Sequence, residues 1–231
     1  AGAVFQLDKL ATERPDDPWA QLGLAHAHLA VGDAASAQSA LAAALELDPA
    51  NPRARRLESL VLAKRGELDL SVDALERWLR RTGRHPFISD LERDIVRLDL
   101  AAALIEVGRA RQARRVLGEL IDEPRFDTLP APLRGDAFLL RSSALADGGK
   151  YRDALADAQR AAYELPEGLM AVEQRAILLE YRLSDPAGAL EAWRDVEAIA
   201  DASGAGLRAY LLALRARVEQ ARLEGWQEPR P

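Results

Sequence analysis

The sequence predicts an all-α fold in which antiparallel helix pairs stack side by side as a solenoid. Three observations lead to this prediction. A pattern of two short helical stretches, joined by a glycine turn and closed by a proline, first appears at 18–51 and returns four more times. The composition is 48% hydrophobic but only 5% aromatic, which is typical of an alanine- and leucine-rich helical core spread along the chain. One helix pair cannot bury its apolar face alone, so a neighbouring pair must cover it.

The stretch 18–51 shows how each element is predicted. Its first helix ends at Gly32, because glycine takes the left-handed backbone conformation at little cost. Asp33 can then cap the second helix, and Pro49 stops it. We expect the second helix to turn five apolar residues inward: Ala37, Leu41, Ala44, Leu45 and Leu47.

Several positions of this stretch resemble the tetratricopeptide repeat, a helix-turn-helix unit of about 34 residues. These positions are Leu24, Ala25, Gly32, Ala37, Ala44 and Pro49. The resemblance implies a right-handed superhelical solenoid of about five repeats that serves as a protein-interaction scaffold. In this family the first helices of successive repeats line a concave groove, which receives a peptide or a helix of a partner protein.

The chain is predicted to be a single domain, 1–231, built from repeats in order. The full repeats are predicted at 18–51, 52–84, 94–125, 135–168 and 170–202. Residues 3–15 are predicted to be either the second helix of a truncated repeat or a simple N-terminal capping helix. Two insertions, at 84–93 and 122–134, either touch a ligand or act as spacers. The fifth repeat has Ser184-Asp185-Pro186 where the others have a glycine turn.

Residues 205–224 are predicted to form a last helix that covers the end of the stack. One apolar stripe is expected to face the core, and it comprises Leu207, Tyr210, Leu211, Leu214 and Val218. The outward side is expected to carry Arg208, Arg215, Glu219 and Arg222.

Composition narrows the class of protein and its compartment. With 37 acidic and 31 basic residues the net charge is −6, which argues against a general nucleic-acid binder. No apolar run approaches the ~20 residues that a membrane span needs, so direct membrane insertion is not expected. The absence of cysteine fits either the cytoplasm or the periplasm, and 28 arginines against 3 lysines indicate a bacterial source. The chain starts at Ala1 and not at methionine, as a processed or trimmed chain would.

No pattern in the sequence predicts catalysis, a metal ion or a cofactor. His26 and His28 lie two residues apart on a helix and so point about 200° from one another, which prevents them from sharing an ion. His28 is expected to pack in the core, and His26 to face the groove. The segment Gly148-Gly149-Lys150-Tyr151 lacks the spacing of a phosphate loop and is explained by a repeat turn. The chain is therefore predicted not to be an enzyme.

Matching the family's first-helix positions assigns the groove residues. These are Trp19, Leu22, His26, Leu29, Arg53, Arg56, Leu60, Lys64, Leu98, Ala102, Ile105, Leu139, Ser143 and Asp147. Some family members hold a C-terminal carboxylate with a lysine-asparagine clamp. Leu22 and His26 occupy the matching places here, so that clamp is absent.

The charge is unevenly distributed, which suggests a partner class. Residues 53–84 hold nine basic and five acidic side chains, while residues 1–52 hold two basic and seven acidic ones. The basic repeat could steer an acidic partner segment into the groove, or it could simply be a solvated outer face. Two other functions stay open: a regulatory receptor for a short peptide or small molecule, and a docking module cut from a larger membrane-attached or enzymatic protein. Homo-oligomerisation also stays open.

Overall fold

The computed structural model describes residues 2–83, 85–203 and 206–225; the side chains of 203 and 206–210 are outside the described part. Within these residues the chain forms twelve α-helices and one 3-10 helix, with no strand. The all-α prediction is confirmed. The chain divides into two compact units, residues 1–108 (unit 1) and residues 109–231 (unit 2). This boundary falls at the turn of the predicted third repeat. That the whole chain is one domain stays a prediction.

Unit 1 is a stack of antiparallel helices. It contains α1 (Gly2–Glu13), α2 (Pro18–Ala30), α3 (Ala34–Leu47), α4 (Pro52–Lys64), α5 (Leu68–Thr82) and α6 (Asp90–Glu106). Each helix contacts mainly its neighbours in chain order, and α2 also touches α4. We call the side formed by α2, α4 and α6 the first-helix face of unit 1. The side that carries α3 and α5 is its second-helix face.

Unit 2 repeats this arrangement. It contains α7 (Ala110–Ile121), a 3-10 helix (Phe126–Thr128), α8 (Ala131–Asp147), α9 (Tyr151–Glu164), α10 (Leu169–Tyr181), α11 (Pro186–Ser203) and α12 (Gly206–Glu224). Its second-helix face carries α7, α9 and α11, and its first helices α8 and α10 touch. The helix α8 begins inside the predicted insertion 122–134. Phe126 and Leu129 of that insertion are buried, so the segment is part of the fold.

Left-handed turns connect the helices of each pair, as the sequence predicted. The turn glycines have φ values between 72° and 83°, and they are Gly32, Gly66, Gly108 and Gly149. In the fifth repeat Ser184 takes this place with φ 54°. The predicted cap at Asp33 forms, since the Ser36 N–H donates to Asp33 Oδ1 over 3.0 Å. Ser89 and Glu92 also make a reciprocal capping box at the start of α6.

The core consists of alanines at helix crossings with leucines between them. Fully buried alanines include Ala25, Ala37, Ala101, Ala154 and Ala189. Such small residues let the helix backbones approach, and large side chains fill the remaining space; these include Leu41, Leu75, Leu104, Leu117 and Trp193. Truncating one of these leucines to alanine typically costs about 2–5 kcal/mol. Leu47 was predicted to point inward, but it lies on the last turn of α3 and is exposed.

The predicted apolar stripe of α12 is wrong. Leu211, Leu214 and Val218 are 52%, 38% and 65% exposed, and a different side of the helix is buried. That buried side comprises Leu212, Ala213, Ala216 and Leu223. Its two alanines allow α12 to approach α11 closely, which the larger side chains of the predicted stripe would prevent. The side chains of residues 207, 208 and 210 lie outside the described part.

Arg215 was predicted to face outward; its side chain is 40% exposed, but it also covers part of the core. Its guanidinium lies 5.1 Å from the ring centre of the buried Trp193, and its Nη1 donates to Glu173 Oε1 over 2.8 Å. The aliphatic part of an arginine can cover a core residue while its charged end reaches a partner.

None of the helices in the described part of the chain is both long and apolar enough to cross a lipid bilayer.

Candidate first-helix binding face

Three first helices of unit 1 meet around a cavity of about 180 Å³. Its walls comprise His26 of α2, Arg53, Arg56, Leu57 and Leu60 of α4, Trp78 of α5 and Glu92 of α6. Four of these residues were predicted to line the groove: His26, Arg53, Arg56 and Leu60. The glycine turns bring them together, because each turn returns the chain so that the next first helix lies beside the previous one.

The two arginines of this cavity are paired within unit 1. Arg53 Nε lies 3.4 Å from Glu92 Oε1. Arg56 donates from both Nε and Nη2 to Asp99 Oδ2, over 3.1 and 2.9 Å. Both arginines therefore lie beside carboxylates of α6, and the steering of an acidic partner by this basic repeat stays a prediction.

His26 lies at the rim of the cavity, exposed on one side. Partial burial lowers the pKa of its imidazole below the ordinary 6.5, and the nearby positive charge of Arg56 lowers it further. The ring is thus biased toward its neutral form, which both donates and accepts a hydrogen bond. His26 is therefore suited to a polar group of a bound molecule.

His28, which was expected to pack in the core, lies away from this cavity and is half-buried. Its Nδ1 lies 3.5 Å from Asp33 Oδ2 at the turn that follows α2. The two histidines of the His-x-His pair thus face different surroundings. Among residues 2–83, 85–203 and 206–225, no group of histidine and carboxylate side chains is arranged to hold a metal ion.

Two predicted groove residues belong to the core and are corrected here. Leu22 and Leu98 are only 4% and 6% exposed, and Leu22 packs in the cluster that joins α1, α2, α3 and α4. Both had been assigned to the groove because of their position in the family pattern. That pattern locates the inward side of a first helix only to within about one residue. A shift of one residue turns a helical side chain by about 100°.

The remaining predicted residues surround the cavity or lie elsewhere. Trp19 is exposed, and the Arg53 guanidinium lies 5.7 Å from the centre of its ring. Lys64 is exposed, while Leu29, Ala102 and Ile105 are half-buried. In unit 2, Leu139 and Ser143 are half-buried and Asp147 is exposed. None of these residues lines the cavity itself.

The acidic half of the site was not predicted from the sequence. Glu92 both completes the capping box of α6 and pairs with Arg53. Asp99 lies 43 residues from its partner Arg56. No local pattern links residues at that distance, since the insertion at 84–93 changes the repeat spacing between α4 and α6. The capping motif was the one available indication that α6 begins at this edge.

A larger cavity, of about 270 Å³, lies on the second-helix face of unit 1. The connection from α3 to α4 supplies Pro49 and Pro52, and α5 supplies Trp78. Arg77 and Arg81 stand at its rim and are exposed, in agreement with the alternative of a solvated outer face for this basic repeat.

Comparison with solved structures places this fold among known helical-repeat proteins. The chain superposes on PilF of Pseudomonas aeruginosa with a TM-score of 0.67 and 20% identity, over 91% of this chain and 90% of the PilF chain. It also superposes on residues 41 to the end of MamA from Desulfovibrio magneticus RS-1 with a TM-score of 0.66 and 16% identity, over 81% of this chain and 97% of the MamA chain.

A third similar structure is YrrB, described as a TPR protein with an unusual peptide-binding site. The superposition covers 92% of this chain and 97% of the YrrB chain, with a TM-score of 0.58 and 18% identity. At such identities the likeness concerns the fold. A search of curated proteins gave no match.

Comparison with sequence families gives a more direct result. Residues 22–86 and 98–168 match the tetratricopeptide repeat, and together they make up more than half of the chain. These ranges contain the four glycine turns and the buried Ala25, Ala37, Ala101 and Ala154 described above. The chain belongs to the tetratricopeptide repeat family.

Proposed function

We propose that this chain is a non-catalytic protein-interaction module and that the first-helix face of unit 1 binds a peptide or helix of a partner protein. The observation that carries the proposal is the cavity where α2, α4 and α6 meet, with His26 at its rim and Leu60 in its wall. The exposed Trp19 stands beside it. An apolar depression next to an exposed aromatic residue is typical of the few contacts that dominate the affinity of protein interfaces.

The chemistry of the face favours an apolar or hydrogen-bonding anchor. A carboxylate of a partner would have to displace Glu92 from Arg53 or Asp99 from Arg56, and each displaced group would lose its own ion pair. The partly exposed Leu60 instead offers apolar surface, with the buried Leu57 and Trp78 behind it, and neutral His26 offers a donor and an acceptor. We therefore propose that the partner inserts an apolar side chain here, with its backbone or an uncharged polar group against His26.

The test uses the full chain as bait in a lysate of its source organism, followed by identification of the captured protein by mass spectrometry. Affinity for the purified partner is then measured for Trp19→Ala/His26→Ala. Because both side chains are exposed, their loss should leave the fold intact. We expect at least a tenfold weaker affinity, equivalent to about 1.4 kcal/mol.

The matched control is Phe87→Ala/Tyr163→Ala, which also removes two exposed rings but none on this face. It should bind within about twofold of the unaltered chain. Equal losses in both variants, or full affinity in the first, would show that the partner does not use this face. A thermal shift with a small molecule, and no protein partner, would favour the receptor alternative instead.

A further inference from the structure

The second-helix face of unit 2 carries a cleft of about 500 Å³ between α7 and α9, with α8 behind it. Four cationic side chains line the cleft: Arg114 and Arg115 from α7, and Lys150 and Arg160 from the start and body of α9. Both helices are second helices, so the cleft is formed without the first-helix positions that the sequence assigned to a groove.

These four cations are not neutralised by the chain. Within the described residues, none of them has an ion-pair partner. Arg141 also reaches the cleft, but its guanidinium donates to both carboxylate oxygens of Asp157 over 2.6 and 2.8 Å. Most other arginines of unit 2 are paired in the same way, among them Arg134, Arg175, Arg194, Arg215, Arg217 and Arg222.

The acidic groups near the cleft are too few to balance these cations. Asp157 is held by Arg141, Asp153 lines the cleft, and Asp122 acts on Arg141 from the end of α7. The Arg114 guanidinium lies beside Gly148 at the C-terminal end of α8. A Cβ atom added to Gly148 would be only 2.8 Å from Arg114 Nη1. A helix C-terminus favours a cation but supplies only part of a charge. The cleft therefore keeps an excess of positive charge in a chain whose net charge is −6.

Gly118 is a second, independent feature of the same cleft. It lies in the interior of α7, where a glycine is less favourable than alanine for the helix. No atom of the described residues lies within 4 Å of the Cβ that an alanine would carry there, so no contact in this part of the chain requires a glycine. A residue without a side chain at such a place lets the backbone of another molecule approach the helix closely.

We propose that this cleft is a second docking surface, which binds an acidic segment of a partner polypeptide. Carboxylates of the segment would pair with the exposed Arg115, Lys150 and Arg160 and with the half-buried Arg114. The segment's backbone would pass over Gly118. This inference rests on the proposed function as a protein-interaction module, but it uses a different unit and a different face.

The test is a binding titration of the full chain with a labelled peptide of alternating glutamate and alanine, at about 0.1 M salt. Chemical-shift mapping follows on the isotope-labelled chain. We expect saturable binding, with shifts concentrated in α7 and α9. The matched peptide with glutamine in place of glutamate should not bind. Absence of saturable binding up to about 1 mM glutamate peptide would overturn the proposal.

Two double variants separate this cleft from the general effect of charge. Arg115→Glu/Lys150→Glu should weaken binding at least tenfold, whereas Arg77→Glu/Arg81→Glu should change it less than about twofold. Both variants remove two exposed, unpaired cations, and the second pair lies on the second-helix face of unit 1. Equal losses would show that the peptide senses only the overall charge, and would overturn the proposal.

A third variant, Gly118→Gln, tests close approach. Glutamine is a good helix former, so the melting temperature should rise, while its side chain enters the cleft and should weaken peptide binding at least about fivefold. Unchanged affinity would exclude the path over Gly118. If the partner still requires Trp19 and His26 while the glutamate peptide fails to bind, the cleft is refuted and the proposed function stands.

Discussion

Arg56 sets the charge of the first-helix face of unit 1. It holds Asp99 with two hydrogen bonds, and its positive charge disfavours protonation of His26. One side chain thus pairs with a carboxylate of α6 and disfavours the cationic form of the His26 imidazole. The face consequently carries little free charge, although the sequence around Arg53 and Arg56 is strongly basic.

His26 should titrate below its ordinary pKa of 6.5, and Arg56→Gln should raise that pKa. Because the pKa is lower in the folded than in the unfolded chain, protonation of this histidine does not change the free energy of unfolding above pH 6.5. The free energy of unfolding falls as the pH falls from 6.5 through the folded pKa, since the unfolded chain takes up the proton first. The measurement is an NMR titration of the histidine ring protons, with denaturant unfolding at several pH values.

His26→Gln provides the control for this prediction, since it should remove that part of the pH dependence. A His26 midpoint at or above 6.5, or a midpoint that does not respond to Arg56→Gln, would contradict the assignment of Arg56 as a cause.

Ser184 shows what the turn of a repeat requires. The four preceding turns use glycine with positive φ, and Ser184 adopts a similar backbone with φ 54°. The Asp185 N–H still donates to Leu179 O over 2.9 Å, and Asp185 Oδ1 accepts from the Gly188 N–H at the start of α11. A backbone hydrogen bond thus closes the turn without glycine, but it reaches six residues back, whereas the Asp33 N–H of the first turn reaches five residues back to His28 O. The positive φ of Ser184 is a strained conformation for a residue with a Cβ.

Ser184→Gly should stabilise the fold by about 1 kcal/mol, because glycine adopts a positive φ without the steric cost of a Cβ. Urea unfolding of the two chains measures this difference. Ser184→Ala serves as control and should have almost no effect, since alanine keeps the Cβ. A stabilisation of equal size by alanine would mean that the serine hydroxyl, and not the backbone, is the source.

Helix boundaries, turns and caps could be predicted from the sequence because they depend on local residue types. Gly32, Asp33 and Ser89 each act within a few residues of their own position. The face of α12 could not, since leucines and alanines occur on both of its sides. Which side is buried depends on how closely α11 can approach, and that distance is set by Ala213 and Ala216 and not by hydrophobicity alone.

The candidate site was predictable only in part, for a reason that applies to the whole molecule. The family pattern brought His26, Arg53, Arg56 and Leu60 to one face, and the structure gathers them at one cavity. Charge balance, however, is settled between helices that are far apart in sequence. Counting charges along 53–84 suggested an attractive groove, but Arg53 and Arg56 on that face lie beside carboxylates of α6, and a cluster of four cations without an ion pair among the described residues lies between α7 and α9.

Hydrogen exchange should show unequal stability along the stack. Helix α1 has Ala11 as its single buried residue and contacts mainly α2, while α2 is enclosed by α1, α3 and α4. Amides of α1 should therefore exchange at least about tenfold faster than those of α2. Exchange measured by mass spectrometry on overlapping peptides checks this. Equal protection in both helices would indicate that unit 1 opens only as a whole.

The contacts between neighbouring helices also bear on how the protein is made in the cell. Because each helix meets partners that lie close to it in the chain, a pair can find its native contacts as soon as the following helix has left the ribosome. Structure can thus form progressively during translation, from α1 onward. The newly made chain need not wait for its C-terminal residues before its first alanine-rich surfaces are shielded from chaperones and proteases.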